Sequence, residues 1–190
     1  MATNTSSSTN RNRRRPKMGG DTHFITIKIQ DKHPVFQEKK AVQSLRECIR
    51  KVQSRYPFEV EALVTMPDHL HLILTLPQDD DVLNLRVQAI QTAFAKTYGR
   101  NLDLGKDSPD SSRVRQSTIW RRRYCNHLIC DDADLAKHIE YVFWNPVKHG
   151  LVKNPSSWPY CNMSRKSRNG HTNNGKICKM PAWISSADWD

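Results

Sequence analysis

No acidic residue occurs in positions 1–20, and none in positions 111–124. Each stretch still carries five basic side chains: Arg11, Arg13, Arg14, Arg15 and Lys17 in the first, Arg113, Arg115, Arg121, Arg122 and Arg123 in the second. Over the whole chain 30 Lys and Arg outnumber 19 Asp and Glu, for a net charge of +11. Positive charge without counter-charge is what a polyanion selects, so a nucleic-acid partner is favoured over a surface that is basic for solubility alone.

Other absences narrow the field. There is no CxxC pair, and the five cysteines, Cys48, Cys125, Cys130, Cys161 and Cys178, are odd in number. Without a secretory leader they read as reduced thiols of a cytoplasmic protein. The spacing of Cys125 and Cys130 is not diagnostic of zinc. No apolar run approaches the length of a membrane span. The N-terminus is rich in Ser, Thr and Asn and then in Arg, without the apolar segment of a signal peptide. A membrane partner is therefore not expected. No internal repeat is found, and 190 residues suffice for one cored domain with tails.

The chain divides into a disordered basic arm over 1–21, a folded domain over 22–160 and a polar, basic tail over 161–190, where Trp183 and Trp189, with Trp158 before them, suit docking of parts of it. From Thr22 the pattern alternates, with Ile25, Ile27 and Ile29 on one face of a strand. Asp31 and Pro34 suit a helix start; Val42, Leu45, Ile49 and Val52 follow at helical spacing, and Tyr56-Pro57 stops the helix. Phe58 to Thr65 reads as a second strand, joined by the tight turn Met66-Pro67-Asp68 to a third. Leu83, Val87, Ile90 and Phe94 mark a second helix ending near Gly99. Residues 100–117 read as a loop and 118–129 as holding a fourth strand. The order β-α-β-β-α-β is that of a ferredoxin-like split βαβ domain, of α+β class, with an extra helix and a tail beyond it. That fold hosts many functions, so the order alone names none.

The third strand carries the first chemical signal. In Asp68-His69-Leu70-His71-Leu72-Ile73-Leu74 the leucines point to one face, and His69 and His71 sit side by side on the other. Two imidazoles on one rigid face are half of a metal site. The other half is sought in the helix capped by Asp131 and Asp132. There Leu135, Ile139, Val142 and Phe143 form a core stripe, and Tyr141 lies off it on the polar side with Lys137 and Asn145. Alone, Tyr141 reads as a surface tyrosine and Asn145-Pro146 as a helix stop. With the histidines it reads as a nucleophile. A phenol, with a pKa of roughly 10, attacks a phosphodiester when a divalent ion polarises the phosphate. Mg²⁺ or Mn²⁺ accepts two imidazoles and the Asn145 amide oxygen and keeps positions open for phosphate and water.

The pattern Pro67-Asp68-His69-Leu70-His71, followed by Tyr141-Val142-Phe143-Trp144-Asn145-Pro146-Val147-Lys148-His149-Gly150, resembles the REP-associated tyrosine transposases. These are single-tyrosine members of the HUH endonuclease superfamily. The likeness runs from about Thr22 to Tyr160, with an echo at Ala187-Asp188-Trp189. It implies the split βαβ fold and cleavage of single-stranded DNA beside short palindromic hairpins. It also implies a 5′-phosphotyrosine, a free 3′-OH and a monomer at work on the bacterial nucleoid. By the same resemblance Tyr141 is the nucleophile, His69 and His71 are metal ligands, and Asn145 is the third. The family often has Phe-Trp-Glu-His after its arginine cluster; here Tyr124-Cys125-Asn126-His127 stands in that place, without the acid.

DNA contacts are expected from Arg13, Arg14 and Arg15 in the arm, and from Arg121, Arg122 and Arg123 between Trp120 and Tyr124. Lys148 is expected at the scissile phosphate. His127, His138 and His149 read as structural or helix-end histidines. Two other functions fit the same residues: a relative that holds DNA hairpins without cutting, and an RNA-binding protein.

Overall fold

The alternation along the third strand divides the molecule into two cores. The computed structural model describes residues 18–99, 119–164, 172–173, 176–177 and 179–189. Arg13, Arg14 and Arg15 and the loop expected over 100–117 lie outside the described residues. Strand β1 (Met18–Lys28), helix α1 (Lys39–Arg55), β2 (Glu59–Thr65), β3 (His69–Pro77), α2 (Leu83–Tyr98) and β4 (Cys125–Leu128) follow in the expected order. They precede α3 (Asp132–Lys148), β5 (Cys161–Met163), an antiparallel pair β6 (Thr172–Asn173) and β7 (Lys176–Ile177), and a short α4 (Ala182–Ser186).

The main sheet has the order β4-β1-β3-β2-β5, and every neighbouring pair is antiparallel. So β1 and β2 run parallel with β3 inserted between them, and β3 and β4 run parallel with β1 between them. These are the two interlocked split βαβ units of the ferredoxin-like fold. On one face Leu70, Leu72, Leu74 and Leu76 meet Ile25, Ile27 and Ile29 beneath Val42, Leu45 and Ile49 of α1 and Val87, Ile90 and Phe94 of α2. On the other face Ala62, Val64 and Ile73 pack against Ile139, Val142 and Phe143 of α3 and Ile184 of α4. Among the described residues no helix is long and apolar enough to cross a membrane.

Four local outcomes differ from the sequence reading. Strand β1 starts at Met18 rather than Thr22. Helix α1 starts at Lys39, because two 3-10 turns, Gln30–Lys32 and Val35–Gln37, occupy the segment around Asp31 and Pro34. Helix α3 does not stop at Asn145. It passes through Pro146 to Lys148, and Gly150 ends it with φ +69°, where its N–H bonds to Val147 O and that of Leu151 to Pro146 O. This is a left-handed helix end that glycine adopts without strain. Finally, part of the expected polar tail belongs to the body. β5 pairs with the β2 edge, and Ile184 of α4 is fully buried.

Candidate active site

Strand β3 fixes the two histidines on the face covered by α3, with ring centroids 4.9 Å apart. His69 Nδ1 lies 2.7 Å from Asp68 Oδ1. That hydrogen bond is the main reason the Asp68 carboxyl sits below its usual range. An ionised carboxylate accepts a hydrogen bond from Nδ1–H, so Nδ1 keeps its hydrogen and Nε2 is the nitrogen left to offer a lone pair.

The same assignment follows for His71 by counting hydrogens. Its Nδ1 is 2.8 Å from Thr26 Oγ1 across the β1–β3 register. The Thr26 hydroxyl donates its single hydrogen to Trp189 O at 2.9 Å. It must therefore accept from His71 Nδ1–H, and Nε2 again carries the lone pair. Both imidazoles are thus set to offer Nε2 to an ion. Thr26→Val, which keeps the shape and removes the hydroxyl, is expected to weaken Mn²⁺ affinity about 10- to 100-fold, as loss of a ligand-orienting partner does. Titration of the purified protein with Mn²⁺, followed by its paramagnetic signal, checks this.

Helix α3 carries Tyr141, Asn145 and Lys148 on one face, at spacings of four and three residues. That face is not the polar one expected. Tyr141 and Asn145 are both fully buried, whereas Lys137 is exposed. The phenol ring stands edge-on to His71 at 5.3 Å and to Phe24 at 6.1 Å. Lys148 does not stand free to meet a phosphate. Its Nζ donates to Tyr141 Oη at 2.9 Å and to Ala187 O at 2.8 Å, and lies 4.9 Å from the phenol ring centroid.

What seals the tyrosine is the C-terminal segment. The Trp189 ring lies 4.9 Å from the Tyr141 ring, and its carbonyl holds Thr26. Ala187 engages Lys148. Sequence reading missed Thr26, Phe24 and this cover. Two signals pointed to it: the tryptophans Trp158, Trp183 and Trp189, which suit docking of the tail, and the Ala187-Asp188-Trp189 echo.

The arginine cluster is not in a strand. Trp120 is buried with Nε1 donating to Gln91 O, Tyr124 is partly buried, and Arg121, Arg122 and Arg123 are exposed. Arg121 N bonds to Lys28 O, and Lys28 is the register partner of His69. The cluster therefore starts about two strand spacings, roughly 10 Å, from the His69 end of β3. His149, at the end of α3, reaches the same place, with its ring 5.4 Å from that of His69.

The donor set fits a divalent ion. Two imidazoles with one nitrogen each engaged, and an amide one helical turn from Tyr141, are the ligands such an ion takes while keeping open positions.

Comparison with known proteins agrees with this fold. The family profile for IS200-like transposases matches residues 19–143. A Haemophilus influenzae protein assigned to the REP-associated tyrosine transposases is 35% identical over 154 residues, covering 81% of this chain and 86% of that protein. The REP-associated tyrosine transposase of Escherichia coli is 32% identical over 157 residues, covering 83% and 85%. A solved REP-associated tyrosine transposase bound to a REP hairpin superposes with a TM-score of 0.65 at 31% identity, covering 88% of this chain and 94% of that one. The split βαβ sheet is thus the framework of a known family, and the chain belongs to the REP-associated tyrosine transposases of the IS200-like group.

Proposed function

We propose that the protein is a metal-dependent single-stranded DNA endonuclease and strand transferase that works beside hairpin-forming repeats. The observation that carries this reading is the Tyr141–Lys148 pair, held on a rigid helix against His71 of the HxH strand. The hairpin-bound relative supports the choice of DNA hairpin as partner.

In the cleavage step Tyr141 Oη attacks the phosphorus and forms a 5′-phosphotyrosine. The bond to the 3′ oxygen breaks, the phenolic proton leaves to solvent, and the 3′ oxygen takes up a proton. Attack by a 3′-OH reverses the step and rejoins strands. A divalent ion, Mg²⁺ or Mn²⁺, held by His69, His71 and Asn145 would polarise the phosphate and spread its developing charge. Lys148 orients the phenolic oxygen and offsets its charge as the proton leaves. Histidines and tyrosine come from one chain, so a monomer suffices.

Trapping tests the proposal. Hairpin DNA with a labelled single-stranded flank should yield a covalent adduct that mass spectrometry maps to Tyr141, together with a fragment ending in 3′-OH. A matched RNA hairpin should yield none. Tight hairpin binding without any adduct, with either ion, would favour the non-cutting reading.

The buried nucleophile adds a condition. A phosphate cannot reach Tyr141 while residues 187–189 lie over it. Removing residues 187–190 deletes the bonds from Thr26 to Trp189 O and from Lys148 to Ala187 O, those of Ala187 N to Trp183 O and Ile184 O, and the Trp189 ring, but keeps Ile184 in the core. If those contacts hold the closed form by ~1–2 kcal/mol, the cleavage rate on hairpin DNA rises roughly 5- to 30-fold. An unchanged rate would show that the cover does not limit access.

Arg121, Arg122 and Arg123 are assigned to phosphates, and so are Arg13, Arg14 and Arg15. Replacing Arg121, Arg122 and Arg123 by Gln should flatten the dependence of log affinity on log salt by about 2 to 3. Deleting residues 1–17 should flatten it too, with less effect on the preference for matched over scrambled hairpins, because contacts from an arm carry little register. Binding measured over a salt series decides both.

A further inference from the structure

A second cluster of ligating side chains lies at the start of α3. His127 of β4 places Nε2 2.8 Å from Asp134 Oδ2, and His138 places Nδ1 3.0 Å from Asp134 Oδ1. One donor atom from each of the three lies within 4.8 Å of the other two. The cluster is separate from the histidine pair. Phe24 of β1 stands in register opposite His127 on one side and Ile73 of β3 on the other, so a whole strand intervenes.

We propose that His127, Asp134 and His138 form a second divalent transition-metal site, suited to Zn²⁺, that ties β4 to the first two turns of α3. Two imidazoles and one carboxylate are a common three-ligand set for zinc, with water in the fourth position.

The carboxylate is already positioned. Asp134 Oδ2 accepts from Cys130 N at 3.0 Å, and Asp134 N donates to the helix cap Asp131 Oδ1 at 2.8 Å. Both imidazoles already aim a nitrogen at that carboxylate. His138 Nδ1 also bonds the backbone carbonyl of Asp134 at 2.9 Å. An arriving ion displaces the hydrogen on each of these nitrogens and needs little movement of the chain. His127 is largely exposed, which gives the ion a path, while His138 is buried and anchors it.

The site also bears on its surroundings. The His138 ring is stacked on His127, with centroids 4.6 Å apart and planes at 17°, and on Trp189 at 4.3 Å and 12°. An ion bound to His138 would stiffen the seat of the segment that covers Tyr141.

The test uses the full chain, stripped with a chelator and titrated with Zn²⁺ against a chromophoric competitor. The native chain should bind one more tight equivalent than His127→Ala, and also one more than Asp134→Asn. The His71→Ala chain should keep that equivalent. His127 is exposed, so His127→Ala should keep its circular dichroism and hairpin binding. Zn²⁺ should raise the Tm of the His71→Ala chain but leave that of a His71→Ala, His127→Ala double variant unchanged. Co²⁺ in place of Zn²⁺ should show no thiolate charge-transfer band. Equal zinc stoichiometry in the native and His127→Ala chains would overturn the proposal, and so would a thiolate band, which would place the ion on Cys125 or Cys130.

Discussion

Tyr141→Phe is expected to bind hairpin DNA as the native chain does and to cut none of it. The substitution removes one oxygen atom and leaves the ring that packs between His71, Phe24 and Trp189. That oxygen accepts from Lys148 Nζ at 2.9 Å, and Lys148 keeps its bond to Ala187 O when it is gone. Loss of one such hydrogen bond costs about 1 kcal/mol, so the fold and the basic surface should persist. The chemical effect is of another order. Removing a covalent nucleophile lowers turnover by something on the order of 10⁶-fold, below the detection of a gel assay. Adduct and cleavage should vanish together, while hairpin affinity moves by less than about threefold. An adduct at native level in Tyr141→Phe would remove Tyr141 from the reaction.

How far this site was legible in the sequence depends on the range of each signal. The alternation at residues 69–76 is local, and it assigned both faces of β3 before any partner was known. The leucines are in one core, and the histidines face the other. The helix bearing Tyr141 was legible for the same reason, because Asp131 caps it and its stripe repeats at helical spacing. Its stop was not. Proline inside a helix costs one backbone bond, and burial of Phe143, Trp144 and Pro146 against the body offsets that cost. The burial of Tyr141 was hidden because its cover, Trp189, lies 48 positions later and is held by a hydrogen bond from β1. The role of Thr26 was hidden because it depends on strand register. Thr26 meets His71 only in the pairing of β1 with β3 that the sheet adopts. Tertiary contacts of this kind leave no period in the sequence.

His71→Ala should abolish cleavage, and no added metal should restore it. His71 is fully buried, its Nδ1–H is committed to Thr26, and its ring borders Tyr141 at 5.3 Å. The imidazole is therefore the proposed ligand of an ion beside Tyr141, the proposed nucleophile. A metal that neutralises charge in a phosphoryl transition state supplies several kcal/mol, so its loss lowers the rate on the order of a thousandfold or more. His69→Ala should do the same, and it also leaves Asp68 without its imidazole partner. Asn145→Ala should cost less, about 10- to 100-fold, because an amide oxygen is a weaker ligand than an imidazole. Chelator treatment of the native chain should reproduce the His71→Ala defect, and Mn²⁺ or Mg²⁺ should reverse it there. Hairpin binding should survive in every case, since the arginines proposed to meet phosphates are elsewhere in the chain, and that binding serves as the control for folding. Thr26→Val separates positioning from ligation. It acts through affinity, so saturating Mn²⁺ should bring its rate back toward native, whereas His71→Ala stays inactive at any concentration. Full-rate cutting by the chelated native chain would show that His69 and His71 serve the reaction without an ion. Failure of Mn²⁺ to rescue Thr26→Val would mean that its hydroxyl does more than orient His71.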